Sequence, residues 1–233
     1  FLLIDVNPLS LGLATLGGLV EPLIARHSPL PIAQAQTFTT AVDGQTAITL
    51  QVVQGERPLA ADCRSLATFT LRGLPPRPAG QTRVQVIFAL DADGVLTVTA
   101  KDLDSDVQHT IDITPTTGLT EAAMAAMIQH SLDHAAADAA AAARAHAATT
   151  AQQHLAACMK ALDEQAALLT APQRQTLAAA VQLLKDCVAD PTSTADDISA
   201  ADHALTAAAQ PLIAARLDAV LAQTMVGKTV QEV

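Results

Sequence analysis

The sequence predicts an α+β protein, in which an antiparallel β-sandwich is followed by a long helix and a small helical bundle. Short runs of alternating apolar and polar residues, separated by turn residues, occupy the first half. The composition then changes: residues 118–233 contain 37 alanines, whereas eight of the ten glycines and nine of the twelve prolines come before residue 118. A change of this kind indicates two regions of different architecture.

The first region has the pattern of about eight half-buried strands. Apolar side chains alternate with polar ones in residues 48–52, 84–90 and 96–100. Turn signals that contain glycine, among them Asp43-Gly44 and Asp93-Gly94, separate the runs. Because no helix-length period interrupts these strands, the pattern favours an antiparallel sandwich over a parallel sheet with crossover helices.

The second region has the signals of helices. Thr120 can cap a helix whose first turn contains Glu121, and that helix is expected to continue through the alanine tract. Thr194, followed three residues later by Asp197, resembles a capping box for a later helix. Pro211 is expected to divide that later helix, because proline cannot donate a backbone hydrogen bond.

These patterns predict three segments: a linker remnant at 1–8, the sandwich at 9–117 and the helical region at 118–233. The first segment opens with an apolar run that is too short to span a membrane. An apolar leader in front of a strand-rich region is typical of a linker cut from a partner domain. The predicted linker residues are Leu2, Leu3, Ile4 and Asp5.

Charge and composition argue against several classes of function. The net charge is −10 and neither region has a basic stripe, so nucleic acid is not an expected partner. No apolar run is long enough to span a membrane. The three cysteines match no metal or disulfide spacing, and we expect reduced thiols in a cytoplasmic protein. His130, His134 and Asp138 share one helix face and could bind a metal, but an exposed face without a fourth ligand is the favoured interpretation.

No enzymatic site is predicted either. The sequence contains neither of the glycine-rich phosphate-binding motifs, so this chain is not expected to bind or hydrolyse ATP. Cys63 has no histidine beside it in the sequence, and Asp91 with Asp93 is interpreted as a hairpin turn, not a calcium loop. We therefore expect no catalytic residue, no metal and no cofactor in this chain.

Several blocks of the sequence are similar, in order and spacing, to one chaperone family. In the first region they are LLIDVNPLSLG, TLGG, FTTAVDGQTAITLQVVQGER, DCRSL and DADGVLTVTAKD, and GLTEAAMAAMI opens the second. Through these blocks nearly the whole chain resembles the substrate-binding half of the DnaK-type seventy-kilodalton heat-shock chaperones. DCRSL and LRGLPPRPAG resemble the HscA-type branch, which serves iron–sulfur cluster assembly.

The resemblance implies that two loops at one end of the sandwich clasp an extended peptide under a helical lid. The positions that match the family's peptide cleft are Leu13, Thr15, Leu16, Phe38, Thr39, Ala41, Gln45, Ile48, Thr49, Leu50 and Val84. Leu16 and Ala41 match the pair that arches over the bound backbone. Burying one Leu-sized side chain of the peptide contributes about 1.5–3 kcal/mol, which predicts weak and reversible binding.

The resemblance also places the lid latch at Asp43 and Asp138. In general chaperones of the family, an arginine of the sandwich bonds the residue that Asp138 matches, and Ala79 occupies that arginine position here. The sequence leaves open whether the nearby Arg77 reaches Asp138. We therefore expect a weaker latch and faster lid opening than in the general chaperones.

The partners that the resemblance implies are a client peptide, a J-domain co-chaperone and the chain's own N-terminal ATPase domain, which would carry ATP and Mg²⁺. In the HscA-type branch the client is the iron–sulfur scaffold protein, held at a Leu-Pro-Pro-Val-Lys-like loop. A general chaperone with many apolar clients is one alternative, and a structural or adhesion protein is another. Open sandwich edges and an empty cleft also predict that the chain can associate with itself.

Overall fold

Two antiparallel sheets of four strands each, followed by four α-helices, form the protein in a computed structural model that describes residues 5–225. One sheet has the strand order β2-β1-β4-β5 and the other has the order β3-β6-β7-β8. The predicted α+β class, with a sandwich before the helices, is confirmed. Of the predicted linker residues, Leu2, Leu3 and Ile4 lie outside the described part of the chain. The strands are β1 (Leu11–Ala14), β2 (Val20–Ile24), β3 (Ile32–Thr39), β4 (Ala47–Gln54), β5 (Arg64–Arg72), β6 (Arg83–Leu90), β7 (Leu96–Asp102) and β8 (Gln108–Ile113).

The alternation of apolar residues places the core between the two sheets. Along β6, Val84, Val86, Phe88 and Leu90 are buried, while the residues between them are half-buried. β6 pairs with β3 on one side and with β7 on the other, so its inward side chains occupy the middle of their sheet. Buried residues of both sheets join them in one cluster. Removing this apolar surface from water is the main contribution to the stability of the sandwich.

The helices begin where their capping residues predict. The Thr120 hydroxyl accepts a hydrogen bond from Ala123 N at 3.1 Å, which confirms Thr120 as the N-cap of the first helix. At the start of the fourth helix, the Asp197 carboxylate accepts from Thr194 N and the Thr194 hydroxyl accepts from Asp197 N, as predicted. The helices are α1 (Glu121–Asp133), α2 (Ala135–Gln165), α3 (Ala171–Ala189) and α4 (Ala195–Met225).

Two details of the helices differ from the prediction. The first helix does not continue into the alanine tract, because the chain leaves helical geometry at His134, with φ −104° and ψ 1°. The His134 N–H is shared between the carbonyls of His130 and Leu132. Pro211 lies inside α4 and does not divide it. The helix loses a backbone hydrogen bond there, and the burial of the adjacent Leu212 offsets that loss.

Contacts along the chain define two compact units, residues 1–142 and 143–233. The first unit contains the sandwich, α1 and the start of α2. The second is a helical bundle with its own apolar core. The segment boundaries derived from the sequence, with the helical region starting at residue 118, stay a prediction. In the part of the chain from residue 5 to residue 225, no helix has both the length and the apolar character needed to cross a membrane.

Candidate functional site

The predicted cleft residues lie at one end of the sandwich. β1 is antiparallel to β4 with Leu13 opposite Val52, so the end of β1 points towards the start of β4. β3 ends beside the start of β6, where Thr39 is opposite Arg83. The β1–β2 turn, the β3–β4 loop and the first residues of β6 therefore share this end of the sandwich, which we call the loop end.

Five of the predicted apolar residues belong to the core cluster between the two sheets. Leu13, Leu50 and Val84 are buried in the core between the sheets, and Phe38 and Ile48 are half-buried against that core. Phe38 lies directly opposite Val84 in the β3–β6 pair. The three buried residues can form only the floor of a binding site, whereas Phe38 and Ile48 keep surface that a ligand can contact.

The β1–β2 turn presents an exposed leucine. Gly17 and Gly18 have φ values of 77° and 74°, a left-handed conformation that glycine adopts without strain. Thr15 closes the turn, because its N–H and its hydroxyl both donate to Leu19 O, at 2.7 and 3.2 Å. Within this turn Leu16 is 53% exposed. The turn thus holds a large apolar side chain at the surface, where a ligand can contact it.

The β3–β4 loop, residues 40–46, is braced by one of the predicted site residues. Gln45 Oε1 accepts a hydrogen bond from Ala41 N at 3.1 Å, and Gln45 Nε2 donates to Ala47 O at 2.8 Å. Ala41 is exposed, and so is its neighbour Val42. Gln45 therefore fixes the backbone of a loop that displays two small apolar side chains.

Two of the predicted threonines do not contribute side chains to the apolar cluster. Thr49 alternates with Ile48 and Leu50 along β4, and its hydroxyl pairs with the Thr70 hydroxyl at 3.1 Å on exposed surface. Thr39 is exposed at the end of β3. Only their backbone groups are therefore suited to a peptide bound at the apolar cluster.

Asp138, a predicted latch residue, has an arginine partner on the sandwich. Arg57 donates from Nε and Nη2 to the two carboxylate oxygens of Asp138, at 2.8 and 2.6 Å. Arg57 follows β4, and Asp138 lies in the first turn of α2, within the same compact unit. Asp138 thus has an arginine partner although Ala79 occupies the expected arginine position, so Ala79 gives no reason for a weaker latch; faster lid opening stays a prediction. The two residues are 81 positions apart in the chain, so no local pattern could have paired them.

The surroundings of Arg57 favour this pair. The hydrogen bond from Arg57 lowers the pKa of Asp138, against the smaller opposing effect of burial. The same bond raises the pKa of Arg57. Arg57 Nη1 also pairs with Asp62 at 3.0 Å, and the Cys63 thiol donates to Arg57 O at 3.2 Å. Arg57 is thus fixed by its own neighbours and holds the start of α2 on the sandwich.

The second predicted latch residue, Asp43, takes part in a different contact. Its carboxylate accepts a hydrogen bond from Ala79 N at 2.8 Å, which joins the β3–β4 loop to the β5–β6 loop. Arg77 donates to Asp104 at 2.7 Å. The sequence left open whether Arg77 reaches Asp138. In the structure Arg77 pairs with Asp104, and Asp138 pairs with Arg57.

A further arginine, which the sequence did not single out, holds the connection between the sandwich and α1. Arg64 donates from Nη1 to Pro115 O at 2.7 Å and from Nη2 to Thr117 O at 2.6 Å. Nη1 also reaches Gln54 Oε1 at 3.2 Å. Main-chain carbonyls carry no side-chain signature, so sequence patterns could not have revealed Arg64 as an anchor.

The chemical groups at the loop end are suited to binding. Loop backbone N–H and C=O groups and apolar side chains together can hold an extended peptide with little dependence on its sequence. Within residues 5–225, no three His, Cys, Asp or Glu side chains gather closely enough to hold a metal ion. His134 Nδ1 instead lies 2.9 Å from His130 O. Burial raises the pKa of the Cys63 thiol, which favours its protonated, less reactive form.

Comparison with known proteins identifies the family of the chain. The family model described as "Hsp70 protein" matches residues 1–218. The chain belongs to the Hsp70 family. Curated relatives of HscA type match it over essentially its whole length.

Three of these relatives illustrate the similarity. The chaperone protein HscA homolog of Neisseria meningitidis serogroup A is 43% identical over 233 residues, which are 100% of this chain and 37% of that protein. The homolog of Verminephrobacter eiseniae is 45% identical over 99% of this chain and 37% of that protein. The chaperone protein HscA of Yersinia enterocolitica is 44% identical over 100% of this chain and 37% of that protein. This Hsp70-family chain is thus HscA-like, and it spans 37% of the length of the curated relatives it matches.

Proposed function

We propose that this Hsp70-family chain is the substrate-binding portion of an HscA-like chaperone, and that it clasps an extended segment of a client protein at the loop end. One observation carries the proposal. Two braced loops expose Leu16 and Ala41 at the same end of the sandwich at which Phe38 and Ile48 keep apolar surface. An extended peptide would bond to the loop backbone and place one apolar side chain against Phe38 and Ile48.

Binding at such a site is weak without a cover. Burial of one Leu-sized side chain contributes about 1.5–3 kcal/mol, and each backbone hydrogen bond adds about 0.5–1.5 kcal/mol net. The cost of ordering the peptide is subtracted from that sum. Slow release therefore requires a lid, and we assign that role to the helices that follow the sandwich. The Arg57–Asp138 contact, which ties the start of α2 to the sandwich, supports the assignment.

The partners follow from the resemblance to the HscA-type branch. The client in this proposal is the iron–sulfur scaffold protein, bound at a Leu-Pro-Pro-Val-Lys-like segment. ATP and Mg²⁺ belong to a separate N-terminal ATPase domain, and a J-domain co-chaperone acts on that domain. Support for this division is that the present sequence has no glycine-rich phosphate-binding motif. If ATP changes the affinity for peptide, peptide must change the affinity for ATP by the same factor.

Titration of a fluorescein-labelled Leu-Pro-Pro-Val-Lys peptide against the chain, followed by anisotropy, tests the proposal. Ile48→Phe adds bulk to the partly exposed apolar surface at the loop end and should weaken binding about ten- to a hundredfold, the equivalent of one Leu-sized side chain. Gln51→Phe is the matched control, because Gln51 lies on the same strand and donates to Ser65 Oγ on exposed surface. Wild-type affinity in the Ile48→Phe variant would contradict the proposal.

A peptide array separates the specialised chaperone from a general one. A single dominant motif that contains proline supports the iron–sulfur scaffold as client. Many leucine-rich hits of similar strength would instead indicate a general chaperone with promiscuous apolar clients. Absence of binding to every short peptide would favour a structural protein and would refute both chaperone proposals.

A further inference from the structure

The β3–β4 loop is held from outside by the β5–β6 loop, residues 73–82. Gly44 N donates to Arg77 O at 2.8 Å, which joins the middle of one loop to the middle of the other. Two residues further along, Ala79 N donates to Asp43 Oδ1 at 2.8 Å. The position of the β3–β4 loop therefore depends on where the β5–β6 loop lies.

The β5–β6 loop has no regular secondary structure and contains Pro75, Pro76 and Pro78. Its three prolines have no N–H group to donate, but Leu74 N and Gly80 N donate to Thr46 O and Thr40 O of the β3–β4 loop, at 3.0 and 2.8 Å. A side chain ties this loop to the other sheet as well: Arg77 Nη1 donates to Asp104 Oδ2 at 2.7 Å. Arg77 thus contacts two partners, because its carbonyl accepts from Gly44 while its guanidinium bonds Asp104.

Asp104 is itself fixed to the sheet. It lies in the turn between β7 and β8, and Arg83 at the start of β6 donates to its other oxygen, Oδ1, at 2.9 Å. The Asp104 N–H donates to the carboxylate of the fully buried Asp102 at 3.3 Å, and Asp102 also accepts from the Ser105 hydroxyl. The Asp104 carboxylate is therefore a fixed point to which the β5–β6 loop is attached.

We propose that Asp104, acting through Arg77, is a positioning residue for peptide binding: it keeps the β5–β6 loop against the β3–β4 loop and so slows release of the peptide. This inference rests on the proposed function, because the β3–β4 loop matters only if it clasps a peptide. Arg83 provides an internal comparison. It bonds the same carboxylate, but its backbone belongs to β6, outside the β5–β6 loop.

The test compares Arg77→Met with Arg83→Met in the 233-residue chain. Each variant removes one ion pair of Asp104, so both should lower the thermal unfolding midpoint to a similar, small extent. Release of labelled Leu-Pro-Pro-Val-Lys peptide, measured after addition of excess unlabelled peptide, should separate them. We expect Arg77→Met to release peptide about three- to fivefold faster and Arg83→Met to stay within about twofold of wild type. Asp104→Asn should match Arg77→Met, and the double variant should be no faster than either single variant.

Amide hydrogen exchange at Gly44, followed by NMR without peptide, tests the contact between the two loops independently of peptide release. Exchange should become faster in Arg77→Met and in Asp104→Asn, but not in Arg83→Met, because only the first two release Arg77 O from Gly44 N. Equal release rates and equal Gly44 exchange in Arg77→Met and Arg83→Met would overturn the inference. If wild type binds no peptide, the proposed function fails, and with it the role in peptide release. In that case Gly44 exchange still shows whether Asp104 positions the loop.

Discussion

Replacement of Arg64 by methionine should loosen the connection between β8 and α1. The substitution keeps most of the aliphatic stem but removes the hydrogen bonds to Pro115 O, Thr117 O and Gln54 Oε1. A hydrogen bond from a charged group contributes about 1.5–3 kcal/mol when it is sheltered, and the bond to Thr117 O is exposed. We therefore expect local opening of the connection to become easier by about 1.5 kcal/mol, which corresponds to about tenfold faster amide exchange.

The assay is amide hydrogen exchange at Leu119, whose N–H bonds Thr116 O at 3.0 Å within the connection. Arg72→Met is the matched control, because Arg72 is an exposed arginine at the other end of β5 and should leave Leu119 exchange unchanged. Unchanged exchange at Leu119 in Arg64→Met, in a chain that remains folded, would refute the view that Arg64 anchors this segment.

Two further predictions concern the attachment of α2 and the packing of β1. In the folded protein the hydrogen bond from Arg57 lowers the pKa of Asp138 below its ordinary value of 3.8. The contribution of ionised Asp138 to the free energy of unfolding is therefore complete above pH 3.8 and is lost as the pH falls through the lowered pKa. The stability difference between wild type and Asp138→Asn, from urea unfolding followed by circular dichroism, should be constant from about pH 7 to about pH 5 and shrink below about pH 4; a difference that disappears by pH 5 would contradict this. Gly12→Ala should destabilise the sandwich by about 1–3 kcal/mol, because an added Cβ would lie 2.5 Å from Glu21 O. An unchanged urea midpoint in that variant would show that β2 can move away freely.

The features that could be predicted from the sequence are those that depend on neighbouring residues. The alternation from Val84 to Leu90 predicted a strand because the pleat itself has a period of two. Thr120 predicted a helix start because its hydroxyl bonds an amide only three residues away. The same locality explains why the order of strands and helices, and the α+β class, followed from the chain alone.

The features that the sequence missed depend on tertiary contacts. Arg57 and Asp138 are far apart in the chain, and the partners of Arg64 are mainly backbone carbonyls. Helix propensity also gave a wrong prediction at Pro211, which was expected to divide the last helix. Pro211 stays within α4, where the adjacent Leu212 is buried and its packing outweighs the low propensity of proline. Resemblance to the family pointed to Asp138 as a latch residue but named the wrong position for its arginine.

The most direct test of the central claim is a methyl NMR titration of the chain with the Leu-Pro-Pro-Val-Lys peptide. Ile48 and Leu16 methyl signals at the loop end should shift, and nuclear Overhauser contacts should join the Ile48 methyls to one apolar side chain of the peptide. Leu177 and Leu184, buried in the core of the helical bundle, should keep their shifts. Binding that leaves Ile48 and Leu16 unperturbed would contradict the claim that the loop end holds the peptide.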